Sequence, residues 1–115
     1  MFVMLLLPDL AEARRFYADV LGARVLEAVE DRLRLVLQEH VIEVFRCDAA
    51  APAAEHGRAA STVLVLHTQD IEGKMAQLKA QGVEFLHERP AANDLGRYAA
   101  FRAPAGLVHE IFEAI

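Results

Sequence analysis

Residues 9–22 have the sequence DLAEARRFYADVLG, in which apolar residues recur at helical spacing between an aspartate and a Leu-Gly pair. Asp9 is a suitable helix N-cap, and Gly22 is typical of the position that ends a helix. An apolar segment at residues 2–7 precedes this stretch and is typical of a strand buried on both faces. This part of the chain therefore predicts a buried strand, one helix, and a second strand after the glycine.

The same pattern occurs again 61 residues further along the chain. Residues 70–82 have the sequence DIEGKMAQLKAQG, which again follows an apolar segment and again ends on glycine. Each copy closes on an apolar strand with one glutamate, VIEVF at residues 41–45 and VHEIF at residues 108–112. Half of this chain is too short to bury a good core alone, so the repeat predicts that two similar units make up the fold.

The predicted architecture is a single domain of the α+β class with two tandem βαβββ modules. Such units form a curved mixed sheet with the helices on the outer face and a concave surface on the other. The first module spans about residues 1–47, an alanine-rich linker spans about 48–60, and the second module spans about 61–115. Within the second module, residues 83–87 predict a strand, and residues 89–96 predict a turn or loop.

The composition argues against several classes of protein. The chain of 115 residues has a net charge of −5, and its basic residues are scattered, which argues against nucleic-acid binding. The longest apolar run is far below the ~20 residues that a membrane-spanning helix needs. One cysteine, Cys47, cannot form an internal disulfide, so the reducing cytoplasm is the predicted compartment.

Two segments of the chain resemble the opening and closing motifs of the vicinal oxygen chelate superfamily, which includes glyoxalase I, bleomycin-resistance proteins and extradiol dioxygenases. In residues 9–22, the Asp-Leu, Phe-Tyr and Leu-Gly pairs fall at the family's spacing. Residues 103–113, APAGLVHEIFE, resemble the closing segment Asp-Pro-x-Gly-Asn-x-Ile-Glu-Leu, with Ala103 and Leu107 in place of its aspartate and asparagine. The resemblance covers essentially the whole chain and implies the fold, but this fold hosts several chemistries.

The resemblance also implies four ligand positions for one divalent metal ion. The two positions in the first strands are Phe2 and Val63 here, and neither side chain can bind a metal. The two positions in the fourth strands are Glu43 and Glu110, which match the family. A catalytic metal site usually has about three protein ligands, so we expect no cofactor. The two carboxylates alone could still hold a divalent metal weakly, with water completing the shell.

Side-chain alternation along the strands predicts which residues share the cavity. Glu43 shares its face with Phe45, and Glu110 shares its face with Phe112. Arg97 and Tyr98 are neighbours on one strand, so only one of them faces the cavity, and the sequence leaves open which one. Together with the resemblance, these arguments predict a ligand-binding set of eight residues: Glu43, Glu110, Phe2, Phe45, Val63, His67, Arg97 and Phe112.

The two glutamates have two alternative interpretations. Buried carboxylates must be paired, hydrogen-bonded, protonated or hydrated, and Arg34, Arg97 and His67 are the candidate partners. The glutamates either handle a ligand or remain from a lost metal site and are now satisfied by arginine or water. The other histidines carry less weight: His56, in the linker, and His87, at a strand end, are predicted to be solvent-exposed.

Two functions follow from these alternatives. The first is a small-molecule-binding protein that resembles the bleomycin-resistance branch and lacks the usual metal site. The second is a metal-dependent lyase, isomerase or dioxygenase that uses Glu43 and Glu110, and no catalytic residue is assigned for it. In both cases the partner is a small molecule, and the resemblance implies a homodimer.

Overall fold

The chain folds into two compact units, Met1–Ala51 (unit 1) and Pro52–Ile115 (unit 2). A computed structural model describes residues 1–52 and 55–115. The boundary between the units lies within the predicted linker at residues 48–60. In the described ranges, no helix is both long enough and apolar enough to cross a membrane.

Unit 1 contains one helix and a four-stranded mixed sheet. The strands occur in the order β1-β4-β3-β2, with β1 parallel to β4 and the other neighbours antiparallel. Its elements are β1 (Val3–Leu7), α1 (Leu10–Arg14) continued by a π-helical segment (Arg15–Val20), β2 (Arg24–Ala28), β3 (Arg32–Leu37) and β4 (His40–Arg46).

Unit 2 repeats this arrangement. Its strands occur in the order β5-β8-β7-β6, with β5 parallel to β8 and the other neighbours antiparallel. Its elements are β5 (Val65–His67), α2 (Ile71–Ala80), β6 (Ala91–Ala92), β7 (Gly96–Arg102), a 3-10 turn (Pro104–Gly106) and β8 (Val108–Ala114). The prediction of two βαβββ modules is therefore confirmed, with a separate four-stranded sheet in each unit.

The repeated sequence signals fix the helix ends in both units. Asp9 Oδ1 accepts a hydrogen bond from Glu12 N at 3.0 Å, and Asp70 Oδ1 accepts one from Gly73 N at 3.0 Å. After the helices, Gly22 and Gly82 adopt φ values of 82° and 90°, a left-handed conformation that glycine reaches without steric cost. The helix boundaries predicted from the aspartate and the glycine are therefore confirmed to within a residue or two.

The core of unit 1 lies between its helix and one face of its sheet. Alternate residues of β3, namely Leu33, Leu35 and Leu37, are buried, as are Ile42 and Val44 of β4 and Tyr17 of the helical segment. Residues between these positions, such as Arg34 and Glu43, therefore lie on the opposite sheet face. This alternation places the polar residues of interest away from the core.

The second module departs from prediction between residues 83 and 96. The predicted strand at residues 83–87 forms only an isolated bridge, in which Phe85 pairs with Phe101 between two backbone hydrogen bonds of 2.8 and 2.9 Å. The two-residue strand β6 lies instead within the predicted loop and pairs with Arg97 and Tyr98. The outer edge of β7 is thus divided between two short segments, which is why neither forms a long strand.

Candidate functional site

A row of charged residues crosses the helix-free face of the unit 1 sheet. The strand register aligns Met4 with Glu43, Glu43 with Arg34, and Arg34 with Glu27. Residues directly opposite each other on neighbouring strands have their side chains within interaction range. The row therefore joins an exposed methionine at one sheet edge to an alternating series of acidic and basic groups.

Glu43 is held by two arginines. Its side chain is only 9% exposed, Arg34 Nε donates to its Oε1, and Arg32 Nη1 donates to its Oε2 at 3.4 Å. The hydrogen bond from Arg34 is the main reason that the pKa of the Glu43 carboxyl lies below its usual value. Glu43 is therefore a fully compensated carboxylate, as expected for the interpretation in which arginine satisfies a former ligand.

Apolar side chains lie beside this charged row. Met4 and Leu6 of the edge strand β1 are each more than half exposed, and so is Phe2, which precedes this strand in the same alternation. Phe45 of β4 pairs with Leu6 in register and is half-buried on the same face. Phe2, Phe45 and Glu43 thus fall on the same sheet face within unit 1.

Unit 2 groups a second set of predicted residues on its own helix-free face. The register pairs Val65 with Glu110 and His67 with Phe112 across β5 and β8, and Val63 precedes this strand in the same alternation. The rings of His67 and Phe112 lie 5.6 Å apart and nearly perpendicular. On the other side of β8, Tyr98 pairs with Phe112 and Ala100 pairs with Glu110.

Glu110 is bound by a histidine that the sequence did not single out. His56 Nε2 lies 3.2 Å from Glu110 Oε2, and each side chain is 21% exposed. The prediction that His56 is solvent-exposed was therefore wrong. The two residues are 54 positions apart, and no local pattern could have indicated this contact.

A pocket of about 350 Å³ opens beside this pair in unit 2. The rings of His87 and Tyr98, which lie 5.9 Å apart at 89°, form part of its wall. His87 is half-buried, so its predicted exposure was also wrong. The pocket is lined by His56, Gly57, His87, Asn93, Tyr98 and Glu110.

Arg97 lies on the other sheet face, and its predicted role in the ligand site is corrected. The register pairs Arg97 with Glu113, and its guanidinium also binds Glu72 on α2, with Nη2 of Arg97 at 2.8 Å from Oε2 of Glu113. Glu113 in turn accepts a hydrogen bond from Ile71 N at the start of α2. Arg97 therefore fastens the helix to the sheet, and its neighbour Tyr98 shares the face of Glu110.

The donor set falls short of the metal site that the resemblance implies. Phe2 and Val63 supply no donor, and a cation at Glu43 would meet two guanidinium groups. Glu110 and His56 supply two donors where a catalytic site usually has three. Among the residues that the structure describes, no group of three or more His, Cys, Asp or Glu could hold a metal ion.

Comparison with solved structures supports the fold. The fosfomycin resistance protein FosX from Listeria monocytogenes, in complex with Mn(II) and a sulfate ion, is 16% identical, with 100% of this chain and 89% of that chain covered at a TM-score of 0.79. TnmS3, an antibiotic binding protein from Streptomyces sp. CB03234, is 20% identical, with 100% and 96% covered at a TM-score of 0.70. The protein SMU.1112c is 25% identical, with 97% and 96% covered at a TM-score of 0.81.

The chain also matches the model of a protein family. No curated protein matches the chain. The family model described as "Glyoxalase/Bleomycin resistance protein/Dioxygenase superfamily" matches residues 2–111, which is nearly the whole chain. This agrees with the motifs at its two ends and with its two βαβββ units, and the chain belongs to the Glyoxalase/Bleomycin resistance protein/Dioxygenase superfamily.

Proposed function

We propose that this protein binds a small, partly apolar molecule and does so without the usual metal ion of its superfamily. The observation that supports this most strongly is the pocket of unit 2, with a volume of about 350 Å³. Small-molecule sites have volumes of about 300–1,000 Å³ and combine aromatic walls with a few polar groups. Tyr98 and His87 supply the aromatic wall, and Glu110 and His56 supply the polar groups.

The ligand contacts that we propose within unit 2 are Glu110 and its neighbours on the same sheet face, Val63, His67 and Phe112. We add Tyr98 to these proposed ligand contacts in place of Arg97. On the corresponding face of unit 1, ligand contacts by Phe2, Glu43 and Phe45 stay a prediction. The two arginines on Glu43 support a structural role for that carboxylate, because they occupy both of its oxygens.

The similar structures support both a small-molecule ligand and the metal-dependent alternative. TnmS3 is described as an antibiotic binding protein, which supports an antibiotic-like ligand here. FosX is a fosfomycin resistance protein and was crystallised with Mn(II). The alternative is therefore a metal-dependent lyase, isomerase or dioxygenase that uses Glu43 and Glu110, and an experiment must separate it from binding alone.

A fragment screen by ¹H–¹⁵N NMR tests the proposal. With EDTA present, we expect fragments that contain an aromatic ring and a polar group to shift the amide signals of Tyr98, His87 and Glu110. Mn(II) is then added in the absence of EDTA, since a paramagnetic ion bound at one place broadens the nearby signals. We expect no localised broadening at Glu43, because its two arginines repel a cation.

Two outcomes of this screen would contradict the proposal. Localised Mn(II) broadening around Glu43 and Glu110 at one ion per chain, lost in Glu43→Gln or Glu110→Gln, would favour the metal-dependent enzyme. The absence of any fragment that shifts the pocket signals would remove the support for small-molecule binding.

The cytoplasmic location also stays a prediction.

We also propose that the protein forms a homodimer. The edge strand β1 exposes Met4 and Leu6, Phe2 just before it is exposed too, and exposed apolar edge strands favour pairing with another chain. Light scattering should give twice the chain mass of 12.7 kDa, and Met4→Lys should shift the protein toward the monomer. A monomer mass for the wild type at all concentrations would contradict the proposal.

A further inference from the structure

We propose that the pocket of unit 2 recognises a positively charged group attached to a planar aromatic ring, with the carboxylate of Glu110 as the anchor. This rests on the proposed binding function and names the chemical class of its ligand. Three features of the pocket carry the inference: the charge around Glu110, the rings of Tyr98 and His87, and the position of His56.

The first feature is the difference between two carboxylates at equivalent points of the repeat. Glu43 is held by Arg32 and Arg34. Among the residues that the structure describes, the side chain that binds Glu110 is His56 alone, and the described lining of the pocket includes no lysine or arginine. Glu110 therefore combines partial burial with the absence of a permanently charged partner in the described part of the chain.

A ligand cation would supply the permanently charged partner that Glu110 lacks in the described part of the chain. Hydrogen bonds between a cationic donor and a carboxylate are roughly twice as strong as neutral ones, and partial burial strengthens them because the local dielectric constant is lower. The net charge of −5 also favours the approach of cations over anions. An anionic ligand, in contrast, would meet the carboxylate of Glu110 without a fixed positive charge in the described lining.

The second feature is the aromatic wall. Tyr98 lies opposite Phe112 in the sheet register, and its ring is nearly perpendicular to that of His87 at 5.9 Å. Aromatic faces attract both flat rings and cations. A ligand whose charged group lies next to a planar ring could therefore contact Glu110 and this wall at the same time.

The third feature is the position of His56 at the anchor. Its Nε2 lies 3.2 Å from Oε2 of Glu110. A ligand cation at the same oxygen must replace this contact, so His56 and the ligand compete for Glu110. Removing the imidazole should then strengthen binding of a cation by a few-fold, whereas a ligand that needs His56 as its own partner would bind more weakly.

Benzamidine, benzamide and benzoate test the inference, because they have nearly the same shape and are cationic, neutral and anionic respectively. Each is titrated into the ¹⁵N-labelled protein, and dissociation constants are read from the amide shifts of Tyr98 and Glu110. We expect benzamidine to bind at least about tenfold more tightly than benzamide, as one hydrogen bond to a charged group implies. Benzoate should bind most weakly.

Variants separate the contribution of Glu110 from general charge effects. Glu110→Gln should weaken benzamidine about tenfold and abolish the difference between benzamidine and benzamide. The control is Glu55→Gln, which removes the same charge from the residue next to His56. The side chain of Glu55 is 72% exposed and lies outside the pocket lining. This control should leave all three affinities unchanged, and Tyr98→Leu should weaken all three probes to a similar degree.

The outcomes distinguish this inference from the proposed function. Equal binding of benzamidine and benzamide, or an unchanged preference in Glu110→Gln, overturns the inference about charge but leaves small-molecule binding intact. Weaker benzamidine binding in His56→Ala than in the wild type overturns the inference that His56 and the ligand compete for Glu110. Failure of all three probes to bind overturns the inference, while the fragment screen decides the proposed function separately.

Discussion

Replacement of Gly96 by alanine is expected to lower the free energy of unfolding by about 3 kcal/mol, the upper part of the range for overpacked sites. Gly96 is buried, begins β7 and pairs with Ala114 of β8. A Cβ atom at this position would collide with the carbonyl oxygen of Glu113 and lie 3.0 Å from Ala114 Cα. Both are backbone atoms that cannot rotate away, so the two strands would have to separate.

Urea unfolding measures this effect. For a small domain with a denaturant dependence of about 2 kcal/mol per molar urea, the midpoint should fall by roughly 1.5 M. Gly22→Ala is the matched control, because its φ is +82° but, apart from its chain neighbours, the residues that the structure describes place no heavy atom within 4 Å of a Cβ built there. That change should cost only about 1 kcal/mol of backbone strain, so equal losses in the two variants would contradict the collision at Gly96.

Acidification from pH 7 to pH 4 is expected to destabilise the protein through His109. This side chain is 2% exposed, and its ring lies 6.0 Å from that of the buried Phe101. Burial lowers the pKa of His109 from 6.5 to about 4, because the folded protein disfavours the charged imidazole. His109 thus lies in the packed interior, on the face of β8 opposite to that of its neighbour Glu110.

The sign of the effect follows from proton binding. Below pH 6.5 the unfolded chain binds a proton at this histidine, whereas the folded chain does so only near pH 4. The unfolded state is therefore favoured increasingly as the pH falls from 6.5 to about 4. Below that range, the free energy of unfolding falls no further through this histidine. With 1.36 kcal/mol per pKa unit, the total loss is about 3 kcal/mol.

Unfolding free energies at several pH values between 7 and 4.5 test this expectation. His109→Gln should remove the steep part of the pH dependence, whatever its effect on stability at pH 7. His40→Gln is the matched control, because His40 is an exposed residue at the start of β4. The attribution to His109 fails if His109→Gln and the wild type lose stability in parallel.

The features that the sequence predicted correctly are those with local causes. Asp9 and Asp70 accept hydrogen bonds from residues three positions further on, so the helix starts were readable from a short pattern. Alternation along β4 and β8 placed Glu43 and Glu110 on the helix-free faces, since neighbouring residues of a strand point to opposite sides. The family motifs at the two ends then identified the fold.

The features that the sequence could not predict depend on pairing between distant segments. Whether Arg97 or Tyr98 shares the face of Glu110 is set by the offset between β7 and β8, and a shift of one residue would exchange them. The contact of His56 with Glu110 joins the linker to the last strand. No composition or spacing encodes such a contact, because it arises only when unit 2 is folded.

The two guanidinium groups on Glu43 also bear on attempts to redesign this chain as a metalloenzyme. Introducing a histidine at position 2 would add a coordinating nitrogen just before β1, yet the carboxylate of Glu43 would stay engaged with Arg32 and Arg34. Metal binding at Glu43 would thus be opposed by these two positive charges as well as by the lack of a donor side chain at position 2. A metal-binding variant would therefore need the arginines neutralised first and chelating side chains introduced afterwards.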